Sequence, residues 1–278
     1  MMQEQTEESG LKEFFIDDEQ PKPGKQLRRL IPNFLTLCGL GAGMLAIQKA
    51  VLADWDAAVL LIVFAAVIDT MDGALARLLR ATSKFGAELD SLADFLSFGV
   101  APGMVIYLWA LNDAGPVGWI ACMVFAMACA LRLARFNSLS GEDDPRPEWA
   151  RKFFMGVPAP GGAGLALMPI IITLALPESR ELNFLAPLIG VWMLCVAVMM
   201  VSRMPTLSSK QIKLPRAPMV PLLAIAGAFL AAMIHIPWVT LSIIGTLYAA
   251  MIPLSWHVYA KAKAKNEAPQ SAAPVDTF

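Results

Sequence analysis

Residues 69–94 read DTMDGALARLLRATSKFGAELDSLAD. Four aspartates stand in this stretch, Asp69, Asp72, Asp90 and Asp94, and both flanks are apolar: AAVLLIVFAAVI (57–68) before it and FLSFGVAPGMVIYLWAL (95–111) after it. Between Asp56 and Asp69 lie only twelve uncharged residues. At about 1.5 Å per residue they reach about 18 Å, short of the roughly 30 Å of a bilayer's hydrocarbon core. A helix that crosses there must run on through Asp69 and Asp72 to about Arg80. The next helix begins near Gly86 and carries Asp90 and Asp94 inward. The four carboxylates are therefore expected inside the membrane, not in a loop.

The rest of the chain agrees. Of its 278 residues, 57% are hydrophobic and 16% charged, against about 45–50% and about 25% in soluble domains. Apolar runs of helical length recur, where a barrel would show alternating segments of about ten residues. Cys38, Cys122, Cys129 and Cys195 sit inside apolar runs, with no paired spacing for zinc or redox chemistry. The acidic start, MMQEQTEESGLKEFFIDDEQ, lacks the basic and then apolar order of a cleaved signal peptide. The net charge of −1 says nothing about partners, because the charges are sorted by position; no nucleic-acid partner is expected.

Eight apolar segments fall near 30–53, 56–80, 87–111, 116–136, 160–177, 182–202, 218–234 and 236–258. With eight spans, every lysine and arginine except Lys49 and Arg180 falls on one side. The positive-inside rule puts that side, and both termini, in the cytoplasm. The fold expected is all-α, a polytopic transmembrane bundle in the cytoplasmic membrane. The opposite loops are short, so function should face the cytoplasm together with the aspartates. Residues 11–31 mix basic and apolar positions and read as an interfacial helix or a solvated tail. The tail after Lys265 reads as disordered. His235 and His257 fall at opposite faces and are read as ligands of nothing.

Helical spacing groups the acidic residues. Asp69, Asp72, Gly73, Ala76 and Arg77 fall within an arc of roughly 140°. Gly86, Asp90 and Asp94 follow one another at i, i+4. Antiparallel helices joined by a short turn can face these arcs together. Clustered carboxylates need cations or strongly raised pKa values, and hard oxygen ligands suit Mg²⁺ or Mn²⁺, one ion or two. Such ions clamp the oxygens of phosphoryl transfer, and Arg77 on the same face suits a phosphate oxygen. Intramembrane charges are costly and usually functional.

The stretch resembles the signature of the CDP-alcohol phosphotransferases, D-x2-D-G-x2-A-R-x8-G-x3-D-x3-D, with Asp69, Asp72, Gly73, Ala76, Arg77, Gly86, Asp90 and Asp94 at every spacing. The resemblance implies that Asp69, Asp72 and Asp90 are ligands of divalent metal, two ions of Mg²⁺ or Mn²⁺, and that Asp94 is both ligand and general base. It implies a CDP-diacylglycerol site formed with Asn33, Thr36, Asp69, Gly73, Ala76, Arg77, Ser83 and Gly86. Asn33 and Thr36 lie in IPNFLTL (31–37), similar to the family's entrance to the first span.

Together with IPNFLTL, the stretches SKFGAELDSLADFLSFGVAP (83–102), LRLARFN (131–137) and FFMGVPAP (153–160) resemble the serine-accepting branch of integral membrane enzymes. GlyAlaGly at 41–43 departs from that branch's wording, which touches packing and not chemistry. The implied reaction moves a phosphatidyl group from CDP-diacylglycerol to L-serine and releases CMP, in a homodimer. No residue looks like a covalent nucleophile, so direct displacement is expected. Arg132, Arg135 and Lys152 are expected to bind the acceptor or a phosphate. Arg135, which ends the fourth helix, is assigned to the serine carboxylate, and Arg132, nearly a turn deeper, to the lipid phosphate. FFMGVPAP also reads as a re-entry turn, with Pro158 and Pro160 starting the fifth helix.

The family's six-helix core would span 30–202, between a cytoplasmic segment 1–29 and a loop 203–217. Two additional helices (218–260) and a tail (261–278) would follow. Glycerol 3-phosphate or an inositol compound is the alternative acceptor, although a phosphorylated one needs a denser basic pocket. A cation-coupled transporter is the rival of another class. It predicts repeat symmetry, whereas the acidic motif occurs once.

Overall fold

The computed structural model describes residues 23–139, 153–176, 186–202, 205–207 and 219–267. In it each of the eight apolar segments is a helix: α1 Pro23–Val51, α2 Trp55–Leu78, α3 Lys84–Ala114, α4 Pro116–Leu139, α5 Ala159–Ala175, α6 Ala186–Val201, α7 Met219–His235 and α8 Pro237–Glu267. Five of them, α1 to α4 and α8, are long and apolar enough to cross a membrane. The protein is thus an integral membrane protein of the helical-bundle type. α1 starts at Pro23, a residue suited to a first helical position, and runs without a break into the first span. Residues 23–29 therefore continue α1 and form no separate interfacial helix, while residues 1–22 lie outside the described set.

One feature departs from an all-helical chain. Strands β1 (Phe153–Met155) and β2 (Pro205–Leu207) pair antiparallel, with Phe154 opposite Thr206. This ribbon ties the segment before α5 to the segment after α6.

The turns that aim α2 and α3 have identifiable causes. Asp54 caps α2 by accepting from the Ala57 amide at 3.3 Å. Lys49 donates to Asp54 at 2.9 Å and holds its carboxyl below the usual carboxylate range. At its other end α2 closes with Arg80 in the left-handed region, φ 49°. The Ala81 amide reaches the Ala76 carbonyl at 2.9 Å, and the Arg80 amide reaches Arg77 at 3.2 Å. This is the Schellman pattern that terminates many helices. Ser83 then caps α3, its hydroxyl accepting from the Gly86 amide at 3.0 Å. The two acidic helices emerge joined by a tight reversal.

α3 is not uniform. It winds as a π-helix over Phe95–Val100, starting one residue after Asp94, and again over Tyr107–Leu111. The first π stretch packs into small-residue contacts. Ser97 donates to the Gly39 carbonyl at 3.2 Å. A Cβ on Gly43 would lie 2.7 Å from Ser97 Oγ, and one on Gly99 would lie 3.0 Å from Cys129 Cβ. Such close approach is how helices associate in lipid, where there is no hydrophobic drive between them. α5 is apolar all round and central, burying Leu165, Leu167 and Ile170 against Met193 and Met200 of α6. The large exposed side chains are apolar, among them Phe34, Phe64, Leu92 and Val198, as a lipid-facing surface requires.

Candidate active site in the membrane

α1, α2 and α3 converge on the aspartates. One carboxylate oxygen from each of Asp69, Asp72 and Asp90 lies within 4.8 Å of the others. Asp94 is within hydrogen-bonding reach of Asp69. Between the four carboxyls is a void of about 10 Å³, floored by Ser97 and Phe98. That is about the volume that holds one water, and three hard oxygen donors around it fit a divalent cation. The aspartate triad could therefore hold a metal ion.

Asp72 is the most enclosed of the four, 4% exposed, and Thr36 beside it is 6% exposed. Thr36 Oγ1 lies 2.7 Å from Asp72 Oδ2 and 3.1 Å from the Pro32 carbonyl. A hydroxyl has one proton to give. The shorter contact, to a charged oxygen, is the stronger, so Thr36 primarily orients Asp72.

Next to the acidic cluster lies a cleft of about 200 Å³. Six of the residues expected for CDP-diacylglycerol line it: Asn33, Thr36, Gly73, Ala76, Ser83 and Gly86. Its two glycines act differently. At Gly73 a Cβ would meet nothing within 4 Å, so the backbone there faces open space. At Gly86 a Cβ would lie 3.0 Å from Asn33 Oδ1 and 3.1 Å from Ser83 Oγ. Gly86 thus lets α3 approach α1. Asp69 borders the void instead of the cleft. Arg77 folds back along α2, its Nε donating to the Gly73 carbonyl at 3.0 Å.

The two arginines of LRLARFN take different places. Arg132 Nε donates to the Val157 carbonyl at 2.5 Å, and its guanidinium lies within electrostatic range of Asp94. Arg135 donates to the Val201 carbonyl at 2.6 Å, joining α4 to the end of α6. Lys152 lies outside the described residues. His235 and His257 are exposed, on α7 and α8.

Sequence reasoning did not single out Asn137, which donates to Ser91 Oγ at 2.9 Å and braces α4 against α3. Nor did it single out Val157, whose carbonyl anchors Arg132. The signal for that anchor was Gly156 in MetGlyValPro. Its φ is 76°, and a Cβ there would lie 2.6 Å from the Met200 carbonyl oxygen. Only glycine suits such a turn.

Comparison with known proteins shows the family. The family description "CDP-alcohol phosphatidyltransferase" matches residues 29–202, and "CDP-alcohol phosphatidyltransferase 2" matches residues 219–253. The chain belongs to the CDP-alcohol phosphatidyltransferase family. It is 35% identical to the CDP-diacylglycerol–serine O-phosphatidyltransferase of Mycobacterium leprae over 234 residues, 82% of this chain and 75% of the relative. The protein of that name from Mycobacterium tuberculosis H37Rv is 33% identical over 227 residues, 82% of this chain and 78% of the relative. That from Bacillus subtilis is 36% identical over 143 residues, 51% of this chain and 76% of the relative.

Proposed function

We propose that this enzyme transfers the phosphatidyl group of CDP-diacylglycerol to L-serine, giving phosphatidylserine and CMP. The observation that carries the reading is the acidic cluster of α2 and α3 set against a cleft lined by Asn33, Thr36, Gly73 and Gly86. The acceptor is chosen on the relatives' shared name.

Asp69, Asp72 and Asp90, with Asp94 at their border, would hold Mg²⁺ or Mn²⁺, two ions in this reading. Bound there, such ions would neutralise pyrophosphate charge and stabilise the departing CMP. The chain's own groups do the rest. Thr36 fixes Asp72. Gly73 lets the nucleotide lie against backbone, beside Asn33 and Ser83. Asp94 takes the serine hydroxyl proton. The serine oxygen then bonds to the phosphorus that carries diacylglycerol, and the bond from that phosphorus to CMP breaks.

The serine carboxylate lies only a few bonds from its hydroxyl. Its cation must therefore stand close to Asp94, and Arg132 meets that condition better than Arg135. Arg132 is accordingly read as the acceptor residue in place of Arg135, and Arg135 as a tie between α4 and the end of α6. Glycerol 3-phosphate and inositol compounds are the competing acceptors.

The membrane is the cytoplasmic one in this proposal, with both termini and the site on the cytoplasmic side, as the basic loops argue. The catalytic unit is 30–202, with 218–260 added to it, and the enzyme is a homodimer. The test incubates purified protein with CDP-diacylglycerol, Mn²⁺ and a panel of alcohols, and reads CMP release. Serine alone should support it. Release with glycerol 3-phosphate and none with serine would overturn the acceptor.

A further inference from the structure

The last helix reaches into the bundle beside the site. α8 packs along α5, and a Cβ on Gly245 would collide with Met168 Sδ. Tyr248 follows one turn later on the same face. It points its ring at the start of α5, where a Cβ on Gly161 would lie 2.6 Å from the Tyr248 hydroxyl oxygen. That oxygen is buried and has no hydrogen-bond partner. An unpaired buried hydroxyl is costly, and most find one. The charged group within electrostatic range of it is Arg132, which in turn lies within range of Asp94. Asp94, Arg132 and Tyr248 thus form a sequence of base, cation and free donor from α3, α4 and α8.

We propose that Tyr248 binds the acceptor: its hydroxyl donates to the amino-acid carboxylate that Arg132 holds, which makes the added helix α8 part of the active site. This rests on the serine reading above. A carboxylate accepts at both oxygens, so a guanidinium on one side leaves room for a phenol on the other. Tyr248 would select an acceptor bearing a carboxylate, and its own unsatisfied hydroxyl would be paired only when that acceptor is bound.

Tyr248→Phe keeps the ring and removes the donor. It should raise the KM for serine about tenfold or more, the usual worth of a hydrogen bond to a charged group. The KM for CDP-diacylglycerol should stay within twofold. Heat unfolding of the substrate-free variant should not fall, since the lost hydroxyl had no partner. Gly161→Ala places a methyl where the hydroxyl sits and should reproduce the serine effect. Combined with Tyr248→Phe it should add little, because both act on one contact.

A serine KM within twofold of wild type in Tyr248→Phe, or a donor KM that rises in step with it, overturns the proposal. Failure of the serine reading is seen separately, in the wild-type protein. If another alcohol drives CMP release there and serine does not, that reading falls, and the carboxylate role of Tyr248 falls with it.

Discussion

The Thr36–Asp72 contact allows a quantitative test. Replacing Thr36 by Val preserves the β-branched shape and removes the hydroxyl. The 2.7 Å bond to Asp72 is lost between two residues that are almost wholly enclosed. A hydrogen bond to a charged group contributes about 1.5–3 kcal/mol, and about 1.4 kcal/mol is a factor of ten. Apparent metal affinity should therefore fall about tenfold to a hundredfold, the range typical of groups that orient a metal ligand. Two titrations with Mn²⁺ read it: CMP release, and the midpoint of heat unfolding, which follows the occupancy of a bound ligand. Thr36→Ser keeps the donor and should stay within about threefold on the same grounds. A metal midpoint in Thr36→Val within twofold of wild type, by both readouts, would refute the claim that Thr36 orients a metal-binding Asp72.

Asp94→Asn should keep metal-dependent protection by CDP-diacylglycerol but lose about 10²–10⁴ in turnover; activity within threefold of wild type would remove Asp94 from the base role. Asp69→Ala and Asp72→Ala should each abolish the added heat stability given by Mn²⁺ with CDP-diacylglycerol, and undiminished protection would move the metal elsewhere. Arg132→Lys should raise the KM for serine about tenfold or more, because a lysine cannot reproduce the guanidinium fork. Arg135→Lys should act mainly on heat stability through Val201, and the opposite pattern would restore Arg135 as the acceptor residue. Gly99→Val should lower stability by about 1–3 kcal/mol by overpacking against Cys129, read as a lower unfolding midpoint with the same metal requirement.

The acidic helices were legible because their constraint is local. Within residues 69–94, i, i+3 and i, i+4 spacings place the carboxylates and glycines on shared faces whatever the rest of the chain does. Five of the eight apolar segments were legible for a similar reason, since span length is set by the membrane, whereas α5, α6 and α7 are helices of 17, 16 and 17 residues, shorter than the five. The rest depends on contacts that sequence does not encode locally. Arg132 and Arg135 lie three apart on one face, and what tells them apart comes from distant segments: Val157 before α5 and Val201 at the end of α6. β1 and β2 are three residues each, too short for an alternating pattern to show. Tyr248 is one aromatic in an apolar helix, and nothing near it in sequence marks it until α5 brings Gly161 against it. The residues before the first span read as an interfacial helix or a solvated tail, whereas from Pro23 they continue α1 into the span that begins at Leu30.

α3 has 31 residues. At about 1.5 Å per residue it is about 46 Å long, some 16 Å more than the hydrocarbon it crosses. The excess matters at the end where Ser83 caps it. Asp90 lies only about 9 Å along the helix from Lys84, and Asp94 about 15 Å. With the excess at that end, as in the proposed orientation, that band would fall near the level of the lipid phosphates. A lipid donor drifting sideways in its own leaflet would meet the carboxylates with its diphosphate already at their level and its chains still in oil. A small water-soluble acceptor would come down to the same ledge from above. A site so placed would have no need to lift a lipid out of the membrane, only to stand at the waterline.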